Sequence, residues 1–215
     1  MPLLLVDLDN TLIDRAGAFD RWARDFALAR GGGAADAQWL AVADRDGLEP
    51  RERLAGLIAE RFGLDAGDES GVLAELRGGL VRELVTDDAV IRALRRARAA
   101  GWTPFVVTNG TVAQQERKLR HTGLDREVAG WVVSEGAGLR KPDPAIFRLA
   151  AARAGQSLDG GWMIGDSAQA DIEGARGVGL PGVWLHRGRS WPLTSFEPGH
   201  VADSFPDAVD IVLRR

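Results

Sequence analysis

The spacing of short apolar runs after Thr86 constrains the fold most. Pro104-Phe105-Val106-Val107, Trp131-Val132-Val133, Trp162-Met163-Ile164 and Gly182-Val183-Trp184-Leu185 alternate with segments of helical texture. Those segments are an Arg-rich stretch opening at Thr86-Asp87-Asp88 and stopping at Gly101, then about Val112 to His121, Pro144 to Ala154 and Ala168 to Arg176. Unbroken apolar runs suit strands buried on both faces. Strands alternating with helices of about ten residues imply βαβ units and a parallel sheet. One more such run, Leu3-Leu4-Leu5-Val6, leads straight into Asp7-Leu8-Asp9-Asn10-Thr11. The tail reads as a short extended piece from Val201 to Phe205 and a closing helix from Pro206 to Leu213. The fold class expected is α/β, a Rossmann-like parallel sheet flanked by helices.

The stretch between the first run and Thr86 has a different texture. Ala18, Trp22, Phe26 and Ala29 recur at helical spacing, as do Leu54, Leu57 and Ile58, and then Leu73, Leu76, Leu80 and Leu84. Glycines at 31–33, 47 and 63 punctuate them as loops. The expected organisation is a catalytic core from residues 1–14 and 86–215, with a small all-helical module inserted at 15–85. Phe19, Trp22 and Trp39 have two readings, the lining of a substrate pocket or the module's own core.

The strand ends carry the chemistry. Asp7 and Asp9 lie two apart, and two carboxylates that close stay ionised together only with a cation or a shared proton. Thr108-Asn109-Gly110 places a hydroxyl, an amide and free backbone N–H groups at a strand-to-helix turn, where an anion is favoured. In Arg140-Lys141-Pro142-Asp143-Pro144 the prolines stiffen the segment and hold Lys141 at a helix start. Gly165-Asp166-Ser167 follows the next run, with Asp171 five residues beyond Asp166. In a parallel sheet these ends open into one crevice. Carboxylate oxygens are ligands that Mg²⁺ prefers, together with waters and a substrate phosphate. Such an ion and Lys141 would neutralise a phosphoryl group, leaving one aspartate to attack it.

Composition removes other chemistries. The chain has no cysteine, which excludes thiol catalysis, thiolate metal sites and disulfides. Its net charge of -4 offers no basic excess for a nucleic-acid polymer. No segment reads as a signal peptide or a membrane span, so no membrane is expected as a partner and the cytoplasm is the expected location. His121, His186 and His200 lack metal-ligand spacing. Gly177-Val178-Gly179-Leu180-Pro181-Gly182 matches a dinucleotide fingerprint formally, but it follows a helix and precedes a strand, the reverse of what pyrophosphate binding needs. Lysine is rare: Lys118 and Lys141 are the only two.

With Asp7-Leu8-Asp9-Asn10-Thr11, Thr108-Asn109, Lys141, and Gly165-Asp166 with Asp171 in this order, each after an apolar strand, the chain resembles the phosphatase branch of the haloacid dehalogenase-like superfamily. The helical insertion is similar to the cap of the subgroup that carries its cap after the first strand. The resemblance implies that Asp7 attacks phosphorus to form an aspartyl-phosphate and that Asp9 protonates the leaving alcohol and later deprotonates water. It implies that Thr108 and the Asn109 backbone hold phosphoryl oxygens and that Lys141 stabilises their charge. Asp7, the Asp9 backbone carbonyl and Asp166 would ligate Mg²⁺, with Asp171 a further ligand or an anchor behind them. The substrate implied is a small phosphate monoester, with closest likeness to pyrimidine nucleotidases, and the cap would close over the site.

Within the superfamily, Asp9 argues against a dehalogenase, and the lack of lysine in the insertion argues against a phosphonatase. A sugar phosphomutase uses the same core and stands as the alternative. Outside it, a receiver-like signalling domain would carry its phosphoacceptor on a later strand, where no Asp ends Pro104 to Val107. A catalytically silent binding module would be expected to have lost a motif residue, and none is missing.

Overall fold

Strands β1 (Leu3–Val6), β2 (Thr103–Thr108), β3 (Trp131–Val133), β4 (Trp162–Gly165), β5 (Gly182–Leu185) and β6 (His200–Ala202) form one sheet in the order β3-β2-β1-β4-β5-β6. Every pairing is parallel, with Leu5 opposite Phe105 on one side and Met163 on the other. After β3 the chain crosses back to the far side of β1, so the strand order reverses there. Ligands of open α/β sheets bind at such a reversal, outside the carboxyl ends of the strands. β1 is buried along its whole length, which is why its sequence is an unbroken apolar run rather than an alternating one.

The structure, a computed structural model, describes residues 1–65 and 67–214. They fall into two compact units, Met1–Ile13 with Thr86–Arg215, and Asp14–Val85. The second unit holds α1 (Arg15–Ala29), α2 (Ala34–Asp44), α3 (Arg51–Arg61) and α4 (Glu69–Arg82). Phe19, Trp22, Phe26 and Phe62 stack in sequence through its interior at centroid separations of 5.3, 4.8 and 5.3 Å. Phe19 and Trp22 thus belong to the unit's own core, while Trp39 is half-buried beneath the guanidinium of Arg61. Gly79 on α4 is needed where it stands, since a Cβ there would lie 2.3 Å from the Trp22 ring. Arg15 and Asp44, both buried, form a two-pronged ion pair that Arg51 joins from α3.

The sheet-bearing unit adds α5 (Asp88–Ala99), α6 (Val112–Thr122), α7 (Ser134–Ala137), α8 (Pro144–Ala154), α9 (Gly174–Arg176) and α10 (Phe205–Leu213). On one face of the sheet, Leu3, Leu5, Phe105, Val107 and Met163 pack with Ile146, Phe147 and Ala150 of α8 in a single apolar cluster. Leu4, Val6 and Val106 alternate with them and are also fully buried; α5 and α10 pack on each other and on β2 and β5. Among the described residues no helix is long and apolar enough to cross a membrane.

The expected elements are all present, with three local differences. The closing helix starts at Phe205 and the extended piece before it is strand β6. Lys141 lies before α8, on the turn whose Asp143 caps that helix, rather than at the helix start. The segment expected as a helix from Ala168 to Arg176 begins with π-helical turns at Ala168–Glu173 and becomes α only at α9. Such wider turns are frequent at functional sites, and this one carries Asp171.

Candidate active site

Asp7 continues β1 by one residue, its N–H donating to the Ile164 carbonyl of β4 at 3.0 Å. The chain then turns tightly, with the amides of Leu12 and Ile13 at 3.0 and 3.1 Å from the Leu8 carbonyl. Asn10 takes a left-handed backbone with φ of 59°, a conformation that Asn tolerates better than most residues. The turn leaves Asp7 buried and the Asp9 side chain 27% exposed.

Lys141 ties three strand ends together. Its Nζ donates to Asp7 Oδ1 at 2.6 Å, to Asp171 Oδ1 at 2.7 Å and to the Val107 carbonyl of β2 at 2.6 Å. All three donors of the ammonium are thereby used. The other Asp171 oxygen accepts from the Ser167 N–H at 2.9 Å. Asn109 fixes the Lys141 backbone with its side-chain amide: Oδ1 accepts from the Lys141 N–H at 2.9 Å and Nδ2 donates to the Lys141 carbonyl at 3.1 Å.

Carboxylate oxygens of Asp7, Asp166 and Asp171 lie within 4.8 Å of one another, and all three residues are buried. Burial pushes Asp7 up to about 7; Lys141 opposes this, while the charges of Asp171 and Asp9 add to it. Asp166 rises to about 6 through burial and the Asp7 charge, with Arg189 and Arg187 opposing. Asp171 is raised as well, chiefly by burial. Burial alone would lower Lys141, but the Asp171 and Asp7 charges outweigh it and its pKa is raised. Two buried acids, Asp7 and Asp171, therefore share one ammonium, and the third, Asp166, lies beside them against Arg187 and Arg189. A small hard cation fits this all-oxygen set, because an added divalent charge would favour the ionised form of every member.

Thr108 ends β2 and is buried. Gln115 on α6 donates from Nε2 to Thr108 Oγ1 at 2.6 Å and to Asp9 Oδ2 at 3.0 Å. Lys118, one turn further on, donates to both Asp9 oxygens at 2.7 Å. The structure thus brings Asp7, Lys141, Asp166 and Asp171 into one cluster and joins Asp9 to Thr108 through Gln115.

Four participants were not foreseen. Gln115 and Lys118 stand three residues apart and so share one face of α6; the rarity of lysine was the signal available for Lys118. Arg187 and Arg189, in the loop after β5, each reach Asp166 Oδ2 at 3.0 Å. In an arginine-rich chain nothing marked them.

A family model described as haloacid dehalogenase-like hydrolase matches residues 1–179. A phosphoserine phosphatase of Thermus thermophilus is 31% identical across 87% of this chain and 90% of its own length. The pyrimidine 5'-nucleotidase YjjG of Escherichia coli is 30% identical across 60% of this chain; the match spans 56% of that protein. Among solved structures, the putative HAD-hydrolase YfnB of Bacillus subtilis, bound to magnesium, superposes with a TM-score of 0.77 at 23% identity, covering 98% of both chains.

Proposed function

The chain belongs to the haloacid dehalogenase-like hydrolases, and on that premise we propose that it is a Mg²⁺-dependent phosphatase of a small phosphate monoester, with Asp14–Val85 serving as its cap. The observation that carries this reading is the Lys141 ammonium held between Asp7 and Asp171 beside the third buried carboxylate, Asp166. A general anion site would not bury three carboxylates within 4.8 Å of one another.

In this reading the Asp7 carboxylate attacks phosphorus, an Asp7–phosphate bond forms, and the bond from phosphorus to the substrate's ester oxygen breaks. The departing oxygen takes a proton from Asp9. Water then attacks the aspartyl-phosphate, gives its proton to Asp9, and releases inorganic phosphate with Asp7 regenerated. Thr108 Oγ1 and the Asn109 N–H hold phosphoryl oxygens, and Lys141 neutralises charge that grows on them. Asp7, the Asp9 carbonyl and Asp166 would hold Mg²⁺, which when bound supplies positive charge to the phosphoryl oxygens. Both Asp171 oxygens already meet Lys141 and the Ser167 N–H, which supports its part as the anchor behind the other ligands. The Asn109 side chain, by clamping the Lys141 backbone, keeps the ammonium aimed at Asp7.

The names of the relatives, a phosphoserine phosphatase and a pyrimidine nucleotidase, supply the substrate classes to try first. The test is release of inorganic phosphate from phosphoserine, nucleoside monophosphates, sugar phosphates and an aryl phosphate, with Mg²⁺ and with chelator. Chelator-sensitive release is expected. Silence of pure, folded protein across the whole set would overturn the phosphatase reading in favour of a mutase or a binding role.

A further inference from the structure

Resting on the reading of Asp9 as the group that donates and later accepts the proton, we propose that Lys118 and Gln115 are positioning residues for that step. They would fix the Asp9 carboxylate from behind and link it to Thr108, so that the proton donor and the phosphoryl group keep one spacing.

The geometry is asymmetric in a telling way. Lys118 and Gln115 are buried, yet they converge on a carboxylate whose side chain remains 27% exposed. Lys118 meets both Asp9 oxygens at 2.7 Å, which fixes the rotation of the carboxylate as well as its position. Gln115 gives one amide nitrogen to Asp9 and Thr108 together, at 3.0 and 2.6 Å. Thr108 and Asp9 come from different strand ends, and this amide joins them. The site also keeps room for it: a Cβ on Gly110 would lie 3.0 Å from both Cγ and Cδ of Gln115. An ion pair serving only to hold α6 in place would need neither the shared amide nor the half-open carboxylate.

Proton donation depends steeply on distance and angle. Misplacing a reacting group by about 1 Å can cost about 100-fold, and general acid catalysis itself is worth about 10²–10⁴-fold. A leaving group that needs no proton escapes that loss.

The experiment uses Lys118→Met, which keeps the buried stem, Gln115→Leu as a second route to the same carboxylate, and Lys118→Arg as the conservative exchange. Each is measured with an alkyl phosphate and with dinitrophenyl phosphate, whose phenolate leaves unprotonated. For K118M and Q115L we expect kcat/KM to fall about 10- to 100-fold with the alkyl ester and less than about threefold with the activated aryl ester. The kcat for the aryl ester should fall as well, because water attack on the phosphoenzyme still uses Asp9. K118R should recover most of the alkyl-ester rate. Equal losses of kcat/KM on both esters, or no loss of kcat/KM on either, overturn the proposal.

Crystal structures of the wild type and K118M give an arm independent of turnover. The Asp9 carboxylate is expected to move by about 1 Å or more, and an unmoved carboxylate overturns the proposal. A wild type that turns over neither ester overturns the phosphatase reading, and the crystallographic arm then decides the positioning by itself.

Discussion

Each of the two units buries a cluster of opposite charges, and the two clusters differ in which sign is in excess. Around Lys141, two carboxylates, Asp7 and Asp171, share one ammonium, and both are pushed up; Asp166 beside them, held by Arg187 and Arg189, is pushed up as well. Around Asp44, two guanidiniums serve one carboxylate. Burial pushes Asp44 up, but its hydrogen bond to Arg15 and the charges of Arg15 and Arg51 outweigh it, leaving the group below the usual range. Similar depth and similar residue types thus give opposite shifts. An acid-rich cluster has free energy to gain from a further cation, whereas a cation-rich one is already complete and works as a clamp. Charge balance, more than burial, separates the candidate site from the structural pair.

The largest effect expected on this contrast comes from Asp7→Asn. Turnover should fall on the order of 10⁴–10⁶-fold, the scale of losing a nucleophile, while thermal unfolding in chelator occurs at the same or a higher temperature because one of three crowded charges is gone. Appreciable residual turnover would remove Asp7 as nucleophile, and a lower melting temperature would break the claim of acid excess.

Arg15→Met addresses the other cluster. Removing one partner of a buried pair typically costs about 3–5 kcal/mol, which a urea titration would read as an earlier midpoint. The rate per folded molecule should be unchanged, since Arg15 takes no part in the proposed chemistry. A stable variant with altered kcat would mean that the two clusters are not separate in function.

The smallest effect is on pH dependence. Because the folded-state pKa of Asp44 is depressed, its stabilisation is fully present above the ordinary carboxylate value of about 3.9 and is lost as pH falls through the lower folded value. Asp7 has the opposite sign: its raised value means that folding is penalised above about 7 and relieved below the ordinary carboxylate range. In chelator, the urea midpoint of the wild type should therefore rise from about pH 8 to pH 5 and fall again below about pH 4. In R15M the acid limb should be shallower. A monotonic profile would contradict the opposed shifts.

What the sequence made legible follows from locality. A polar residue ending an apolar run is a signal held within a few residues, and in a parallel sheet all such ends lie on one edge; Asp7, Thr108 and Asp166 could be read that way, and Lys141 by its rarity and the prolines that follow it. Belonging to the haloacid dehalogenase-like family was legible in the same motifs. Gln115 and Lys118 could not be so read, because a Gln and a Lys on a polar helix look like a solvated face until tertiary packing turns that face inward. The use of the Asn109 side chain was also hidden: only its backbone was given a role from the sequence, and its side-chain amide closes on a residue 32 positions away. The π-helical start at Ala168 has no local signature either.

The place of β1 has a consequence for how the molecule comes together. β1 lies between β2 and β4, yet it precedes both in the chain by about a hundred residues or more, so the middle of the sheet is synthesised first and completed last. Four apolar residues must wait through the synthesis of the whole helical segment before a neighbouring strand exists to pair with them. The entropy of closing that long loop grows only slowly, by about 0.6 kcal/mol for each doubling of length. If Asp14–Val85 folds as it emerges, the effective loop becomes much shorter than its residue count. The insertion would then act as a folding aid, and its early collapse would set how long the nascent Leu3–Val6 segment stays exposed to other chains.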